Sequence, residues 1–460
     1  MIVVSENQTI VAHCTPTGSG AVALLRISGE DVLAILAPIC ALASKKSIAT
    51  VSSHTIHYGT VHDAHGHVID HVLFLVMHGP KTFTGQNTVE ITAHNNVFII
   101  EALIARIIES GARLAHNGEF TQRAVLNNKI DLIQAEAINE LIHANTQYAL
   151  KKSLAQLDGS FSAQIESIEK ALISAIALAQ ASFEFLDEET MEFGTQITNI
   201  VQNMCAYIDK LKRNFNQQQQ IRQGIRIAII GSVNAGKSSL FNALIGTNRA
   251  IVSPVAGTTR DVIEAGLYML GNYWTLVDTA GLRQAEDIIE QEGIRRSLEQ
   301  AQLADVIVLV CDSSKLLSAE EQAVYQQLLD QYEHKIILVL NKTDLPVKIN
   351  LSQWNYATIT VSTTAGHGLQ GLEAALRTKI DCLLHSADAP FLLNKRHYHL
   401  LLELEKRLLE TICILEKEHI PFELVAYHLA EAISDIAQLT GKSISETAMD
   451  AVFREFCVGK

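Results

Sequence analysis

One nine-residue stretch of the 460-residue chain has the residue types and spacing needed to hold a phosphate chain. GSVNAGKSS, Gly231 to Ser239, fits G-x-x-x-x-G-K-[ST] and lies between the apolar run IRIAII and the helical segment SLFNALIG. Glycines let backbone N–H groups approach phosphates, and the dipole of the following helix favours negative charge there. Lys237 is placed to reach the β- and γ-phosphates, and Ser238 to bind Mg²⁺. The other expected contacts of this loop are Asn234, Ala235, Gly236 and Ser239.

Two later motifs predict a loop that senses the terminal phosphate. Thr259, in GTTRD, suits the switch threonine that binds Mg²⁺ when a γ-phosphate is present. DTAG directly follows an apolar strand, and its aspartate is placed to hold Mg²⁺ through water; its expected contacts are Asp278, Thr279, Ala280 and Gly281. Ras-type switches continue with a glutamine that orients the attacking water, whereas Leu282 follows here. Hydrolysis therefore needs another group to position that water.

NKTD, which follows the strand KIILVL, predicts guanine as the base. The Asp344 carboxylate can accept two hydrogen bonds from guanine N1–H and the exocyclic amine, whereas adenine presents the wrong donors. Asn341 can meet the base edge, and Lys342 can pack over the ring. A weaker element, VSTTAGHG, stands where such proteins usually have Ser-Ala-Lys; Ser362 fits, but the two threonines after it do not. Together the motifs indicate a GTPase rather than a generic ATPase.

The segment that must carry these motifs alternates between strands and helices. Within 223–383 the apolar runs IRIAII, YWTLVD, DVIVLVCD, KIILVLN and ATITVS predict a doubly wound, mostly parallel sheet covered on both faces. Residues 121–222 and 384–460 have long helical periodicity, as in LIQAEAINELIHANTQYALKKSLAQL. We therefore expect an all-α helical domain interrupted by an inserted Ras-like α/β P-loop GTPase domain, with insertion points near 222 and 384.

The first 120 residues predict a small α+β domain. The β-rich runs AVALLRIS, HVLFLVMH and TVEITAH accompany one helical pattern, NNVFIIEALIARIIESGA. The chain's net charge of −14 argues against a wide nucleic-acid surface, so any RNA contact should be local or shared with a partner. We expect no membrane span or secretion signal, and seven scattered cysteines without a CxxC pair indicate a reducing cytoplasm.

Beyond the nucleotide motifs, the chain resembles the bacterial tRNA-modification GTPase MnmE (TrmE) family. The similarity is carried by TIVAHCTPTGSGAVALLRISG, FTGQNTVEITAH, GEFTQRAVLNNKIDLIQAEAINELI and the C-x-G-K ending FCVGK. The resemblance implies a GTPase that works with a flavin-dependent partner, MnmG (GidA), in a hetero-oligomer. The pair would add an aminomethyl or carboxymethylaminomethyl group at C5 of the wobble uridine of certain tRNAs. The N-terminal domain would form a homodimer and bind 5-formyl- or methylene-tetrahydrofolate, which supplies the one-carbon unit.

The resemblance also implies what replaces the missing glutamine. A K⁺ ion would sit beside the phosphates, where its charge does the work of an arginine finger. Its implied ligands are Asn234 and loop oxygens at Ser253, Val255 and Thr258. Glu290, in DIIEQEG, matches the family's catalytic glutamate, which acts on the attacking water through a bridging water. By residue type alone, Glu290 is a solvated helix residue.

A folate site is implied by the resemblance alone. A pterin presents adjacent N–H donors that one carboxylate can bind, and its glutamate tail suits arginine or lysine. Glu90 matches the pterin contact, while Arg26 and Lys129 match the positive contacts and Lys460 matches a further folate contact. Without the resemblance, Glu90 is an ordinary strand carboxylate and Lys129 an ordinary lysine.

Two further features of the N-terminal site follow from the same comparison. Where the family has His-Gly-Gly, this chain has His94-Asn95-Asn96, and asparagine tolerates left-handed backbone better than most residues. Cys457, in the C-x-G-K ending, matches a thiol needed for tRNA modification but not for GTP hydrolysis. By residue type, a lone cysteine is a small buried apolar residue.

Three other functions are compatible with parts of the sequence. A ribosome-assembly GTPase has a related G domain but usually an RNA-binding appendage, and no basic KH-like GXXG segment is visible here. A nucleotide-dependent scaffold without meaningful turnover is suggested by Leu282. A folate-binding regulator alone leaves the GTP motifs unexplained.

Overall fold

The computed structural model describes residues 8–16, 18–182, 187–213, 215, 225–247, 263–269, 272–278, 298–349, 354, 356–385 and 391–459. The chain divides into two compact units. The first comprises Met1–Asn139, Ala155–Ile208 and His399–Lys460, and the second Glu140–Leu154 and Asp209–Tyr398. The insertion points near 222 and 384 stay predictions.

The first unit contains a seven-stranded sheet of strand order β3-β4-β5-β6-β2-β1-β7. Its strands are β1 (Ile10–His13), β2 (Val22–Ser28), β3 (Cys40–Leu42), β4 (Thr55–His62), β5 (Val68–Met77), β6 (Thr88–His94) and β7 (Arg113–Leu114). Neighbouring strands are antiparallel except for the short β1–β7 pair. Its accompanying helices are α1 (Val32–Leu36) and α2 (Val97–Glu109), with a 3-10 turn at Ile48–Thr50.

The sheet of the first unit buries one face. Successive side chains of a strand point to opposite faces. In β5, Val72, Phe74 and Val76 are buried in a cluster that includes residues of α1 and α2, whereas Leu73, between two of them, is 44% exposed. The β-rich runs AVALLRIS, HVLFLVMH and TVEITAH correspond to β2, β5 and β6, so all three predicted strands are confirmed.

The next helices in the chain are α3 (Glu119–Leu126), α4 (Leu132–Ile142), α5 (Gln147–Leu157), α6 (Ser160–Ala181) and α7 (Asp187–Lys212). The helical periodicity of LIQAEAINELIHANTQYALKKSLAQL is confirmed, and it is divided between two helices, α4 and α5. The hydroxyl Oγ1 of Thr146 accepts a hydrogen bond from Ala149 N at 2.9 Å, which caps the start of α5. A threonine that bonds the backbone in this way ends one helix and starts another.

The second unit contains a six-stranded sheet of order β13-β12-β11-β8-β10-β9. Its strands are β8 (Ile225–Gly231), β9 (Ile263–Met269), β10 (Asn272–Asp278), β11 (Val306–Asp312), β12 (Ile336–Asn341) and β13 (Thr358–Thr360). Only the edge strand β9 is antiparallel to its neighbour in this sheet. Its described helices are α8 (Lys237–Thr247), α9 (Ala319–Tyr332) and α10 (Leu369–His385), with a 3-10 turn at Glu333–Lys335.

Both faces of this second sheet are covered. Val308 and Val310 of β11 lie in one buried cluster with Leu372 of α10. Ile307 and Leu309 of the same strand lie in another cluster, which includes residues of α9. Continuous apolar runs are typical of strands buried on both sides, and the predicted doubly wound α/β domain is confirmed.

The chain ends in three helices, α11 (Lys395–Leu415), α12 (Phe422–Thr440) and α13 (Glu446–Phe453). In the first unit, α13 packs against the start of α3. A Cβ atom on Gly118, whose φ is +67°, would lie 2.8 Å from Phe453 O and 2.9 Å from Phe456 Cβ. The glycine of GEFTQRA is therefore required by this close approach.

The same segment contains a buried ion-pair cluster. Glu119 is 1% exposed and accepts hydrogen bonds from Arg113 at 2.7 and 2.6 Å and from Arg123 at 2.8 Å. The His116 N–H donates to the same carboxylate at 2.9 Å. Burial by itself raises the pKa of Glu119, but the hydrogen bonds from Arg113 and His116 and the charge of Arg123 outweigh it, so the pKa lies below the usual 4.5.

Replacing Glu119 with glutamine is expected to destabilise the first unit by about 3–5 kcal/mol, because two arginines lose their buried counter-charge. Hydrogen exchange of the α3 amides measures this loss, and Glu101→Gln, on the exposed side of α2, is the matched control. Since a carboxyl with a lowered folded-state pKa stabilises only while ionised, this contribution is present above pH 4.5 and is lost as pH falls through the lower folded pKa. Equal α3 protection in both variants would contradict the prediction.

Candidate nucleotide site and N-terminal site

The loop between β8 and α8 has the geometry expected of a phosphate-binding loop. Lys237 is 7% exposed, and its ammonium donates hydrogen bonds to Gly231 O and Ser232 O, both at 2.7 Å. Asn234 is exposed with a left-handed φ of 62°. Gly236 has φ +94°, and a Cβ there would lie 2.1 Å from the Asn341 amide nitrogen. The loop therefore depends on a glycine at 236 and presents Asn234 to solvent.

A tyrosine that sequence reasoning missed is hydrogen-bonded to the start of this loop. The N–H of Ser232 donates to the Tyr325 hydroxyl at 2.6 Å, and that hydroxyl donates to Val310 O at 3.3 Å. Burial raises the pKa of Tyr325, a change to which nearby Cys311 also contributes, so the hydroxyl keeps its proton. Nothing in the spacing of α9 marks this residue as part of the site.

The residues predicted to bind the base come together at the ends of β12 and β13. Asn341 is fully buried and its amide donates to Ala235 O at 2.9 Å. Its Oδ1 is buried and has no hydrogen-bond partner within the described residues. A buried polar atom that makes no hydrogen bond costs about 1–3 kcal/mol of stability. A polar ligand edge at this position would offset that cost, so the site fits a nucleobase.

Asp344 and Ser362 lie side by side, as the motif order predicts. The Ser362 hydroxyl, in a residue 1% exposed, donates to Asp344 Oδ1 at 2.6 Å and accepts from Ala365 N at 3.1 Å. Asp344 is exposed. Although Thr363 and Thr364 depart from the usual sequence, Ser362 still fixes one oxygen of the carboxylate.

Lys342 has a partner that the sequence analysis did not include. Its ammonium lies 2.6 Å from Asp312 Oδ2, and Asp312 ends β11 directly beside Asn341 in the strand register. A carboxylate at the C-terminal end of a parallel strand is where ligand sites of such sheets form, so its position was the signal that could have found it.

Several predicted site residues lie outside the described residues. They are Ser253, Val255, Thr258, Thr259, Thr279, Ala280, Gly281, Leu282, Glu290 and Lys460. Asp278 is described as the last backbone position of β10, paired in register with Ile229 of β8. Ser238 and Ser239 follow Lys237 in the first turn of α8.

In the first unit, two of the predicted folate residues meet on neighbouring strands. Arg26 of β2 is paired in register with Glu90 of β6, and Arg26 Nε lies 2.8 Å from Glu90 Oε1. Arg26 Nη1 also donates to Gly459 O at 3.1 Å, and the Cys14 thiol donates to the same oxygen at 3.5 Å. The structure thus brings the C-x-G-K segment to the Arg26–Glu90 pair.

Lys129 lies elsewhere. Its ammonium is hydrogen-bonded to Pro80 O at 2.8 Å, and within the described residues no hydrogen bond or ion pair joins it to Arg26 or Glu90. Cys457 is exposed, so its interpretation as a buried apolar residue is wrong. Its backbone oxygen accepts a hydrogen bond from Gly118 N at 3.4 Å.

The asparagines that follow His94 do not need left-handed backbone. Asn96 has φ −124° and caps α2, because its side chain accepts from Phe98 N at 3.0 Å. The Asn95 amide donates to Gly18 O at 2.9 Å. These side chains supply backbone contacts that glycines cannot make.

Within the residues that the structure describes, no helix is both long enough and apolar enough to span a membrane.

Comparison with protein families matches residues 132–457 to the MnmE helical domain and residues 9–129 to the N-terminus of the GTP-binding protein TrmE. The tRNA modification GTPase MnmE of Listeria welshimeri serovar 6b is 35% identical over 99% of this chain and 100% of that protein. The protein of the same name from Streptococcus pyogenes serotype M4 is 35% identical over the full length of both chains. A solved G domain of the Thermotoga maritima FeoB iron transporter is 26% identical over 34% of this chain and 98% of that one, with a TM-score of 0.27.

Proposed function

The chain belongs to the MnmE family and is a GTPase that acts in tRNA modification; from that premise we propose a K⁺-dependent mechanism and a folate-dependent product. GTP hydrolysis would be coupled to addition of an aminomethyl or carboxymethylaminomethyl group at C5 of the wobble uridine of certain tRNAs. One observation supports both parts of the proposal, GTP hydrolysis and tRNA modification. A single chain contains the loops with Lys237, Asn341 and Asp344 and also the Arg26–Glu90 pair. The protein would act in the cytoplasm, where tRNA is modified.

The nucleotide half of the proposal assigns each loop a role. Lys237 and the loop from Asn234 to Ser239 hold the phosphates, with Thr279, Ala280 and Gly281 at the γ-phosphate. Ser238 and Thr259 bind Mg²⁺, and Asp278 holds it through water. Asp344, Asn341 and Lys342 bind guanine. The orphaned Asn341 Oδ1 and the Ser362-bound Asp344 support this assignment, because both present polar groups that a guanine edge can use.

Hydrolysis in this proposal depends on a cation and a carboxylate. Asn234, with loop oxygens of Ser253, Val255 and Thr258, would hold K⁺, and its charge stabilises the developing negative charge at the β–γ bridge when bound. The exposed, left-handed Asn234 supports this role, because its side chain is not consumed by internal packing. Glu290 would orient the attacking water through a second water.

The modification half of the proposal uses the Arg26–Glu90 pair. Glu90 would bind the pterin N–H donors of 5-formyl- or methylene-tetrahydrofolate, which supplies a one-carbon unit when bound. Arg26, Lys129 and Lys460 would contact the rest of the molecule. A partly exposed Arg–Glu pair, with side chains 17% and 18% exposed, supports a polar ligand site better than a structural bridge. The flavoprotein MnmG would join the chain in a hetero-oligomer, with the exposed Cys457 thiol contributing to modification.

A homodimer is proposed through the N-terminal domain. The open face of its sheet has apolar side chains on three strands: Val22 is 59%, Ile56 67%, Tyr58 54% and Leu73 44% exposed. Tyr58 and Leu73 are direct cross-strand neighbours. Exposed apolar side chains on the neighbouring strands β4 and β5 are typical of a surface that is covered in the assembled protein.

The test is the wobble nucleoside content of tRNA from cells that lack the gene. The modified nucleoside is expected to disappear, to return with the wild-type chain or the Glu101→Gln control, and to stay absent with Glu90→Gln. Purified wild-type protein is expected to release phosphate from GTP faster in K⁺ than in Na⁺ at equal ionic strength. Unaltered wobble uridines in the deletion strain would contradict the tRNA half, and equal rates in the two salts would contradict the cation half.

A further inference from the structure

Asp312 is a buried carboxylate that the proposed function leaves without a role. It is 6% exposed and lies at the last position of β11. Burial by itself raises its pKa, but hydrogen bonds from Lys342 and from Ser314 outweigh that effect, so the pKa is lowered. The carboxylate therefore stays ionised beside the Lys342 ammonium at neutral pH.

We propose that Asp312 is a positioning residue that holds Lys342 as the surface against which the guanine base packs. The inference rests on the proposed guanine-nucleotide site and adds a residue to it. Asp312 does not touch the nucleotide in this proposal; it acts only through Lys342.

The geometry of both residues supports this role. Asp312 Oδ2 lies 2.6 Å from Lys342 Nζ, while Asp312 Oδ1 accepts from Ser314 N at 3.0 Å and from Ser314 Oγ at 2.6 Å. One carboxylate oxygen is therefore fixed by its own loop, and the other is directed at the lysine. A lysine side chain has many rotamers in solution, and a fixed counter-charge removes most of them.

The backbone of Lys342 adds a second constraint. Its φ of 62° is left-handed, which is uncommon for a residue with a side chain. Asn341, immediately before it, is bound to Ala235 O of the phosphate loop. Lys342 therefore leaves the strand in a fixed direction, and the Asp312 contact fixes the other end of its side chain. Together they hold the aliphatic stem between two anchored points.

A residue that packs on the face of the guanine ring has a different effect on nucleotide selectivity from a residue that contacts its edge. Asp344 reads the edge of the base and would distinguish guanine from hypoxanthine, which lacks the exocyclic amine. Lys342 packs on the ring and does not distinguish the two. Loss of the Asp312 contact should therefore lower the affinity for guanine and hypoxanthine nucleotides by the same factor. The preference for guanine should stay unchanged.

The experiment measures dissociation constants of fluorescent GDP and IDP for the full-length protein. Asp312→Asn is expected to raise both constants by about tenfold, as for loss of one hydrogen bond to a charged group, with their ratio unchanged. Lys342→Met is expected to match it, and the double variant to be no weaker than either single one.

The control is Asp305→Asn, at the other end of the same strand. Asp305 is 8% exposed and accepts a hydrogen bond from Arg226 N at 2.9 Å. It is a buried aspartate that immediately precedes β11, at the end of the strand opposite to Asp312, and this change should leave both constants as in wild type. Thermal unfolding confirms that each variant is folded at the assay temperature.

Each outcome decides the inference. Wild-type affinity in Asp312→Asn, additive effects in the double variant, or a lost preference for GDP over IDP overturns it; the last would mean that Asp312 merely maintains the whole base loop. If the wild-type protein binds neither nucleotide, the proposed function itself fails, and the inference fails with it. A parallel loss for GDP and IDP in Asp312→Asn, absent from Asp305→Asn, supports it.

Discussion

Replacing Glu290 with alanine is expected to leave GTP binding unchanged and to slow K⁺-stimulated phosphate release by about 10²–10⁴-fold, the usual contribution of a positioned acid–base group. The physical reason is the leucine at 282, whose side chain cannot orient a water molecule. A carboxylate acting through a second water would then be the group that directs the attack. Binding should survive because Glu290 is assigned no contact with the nucleotide.

Single-turnover phosphate release in K⁺ and in Na⁺, together with the affinity for a non-hydrolysable GTP analogue, tests this assignment. Glu320→Ala is the matched control, since Glu320 is an exposed carboxylate of the same unit near the start of α9. The control is expected to keep both its rate and its response to K⁺. Unchanged turnover in Glu290→Ala would remove Glu290 from the mechanism.

Replacing Asp344 with asparagine is expected to produce the largest loss of GTP affinity. Two hydrogen bonds to a charged carboxylate are worth about 3–6 kcal/mol, which is about a hundredfold to ten-thousandfold in Kd. An amide can instead donate to the carbonyl that xanthine has in place of the guanine amine. The variant should therefore gain affinity for xanthosine nucleotides.

The measurement is the ratio of Kd values for GDP and XDP in wild type, Asp344→Asn and the control Asp330→Asn. Asp330 is an exposed aspartate of α9 that accepts a hydrogen bond from Gln326 at 2.7 Å. Wild type and control are expected to favour GDP by the same factor, and Asp344→Asn to reverse the preference. Weakened binding of both nucleotides without a reversal would show that Asp344 does not read the base.

The G-domain sheet was largely predictable because its strands are unusually clear in sequence. Runs such as VIVLVCD are apolar on both faces, since helices cover both sides of the sheet. The edge strand β9 was not predicted, because IEAGLYM mixes small, charged and apolar residues without a clean period. In the N-terminal domain, β1, β3 and β7 are two to four residues long, which is too short for a periodicity to appear.

The site was predictable where a motif fixes residues in one loop. Lys237, Asn341 and Asp344 were predicted from local sequence, and the structure places them around one pair of loops. Asp312 and Tyr325 were not, because each reaches the site from a neighbouring element that no motif connects to it. The Arg26–Glu90 pairing depends on strand register, which a single sequence does not reveal.

The hydrogen bond from Arg26 to Gly459 has a consequence for how the protein matures during synthesis. The two residues are 433 positions apart. At about 5–20 residues per second, the ribosome needs about 20–90 s to translate the stretch between them. When the N-terminal sheet has formed, Arg26 therefore still lacks its contact with Gly459. The strands of the GTPase sheet, which lie between the two residues in the chain, are synthesised before Gly459 is. The order of translation thus favours a GTPase sheet that is complete before Arg26 gains its contact with Gly459.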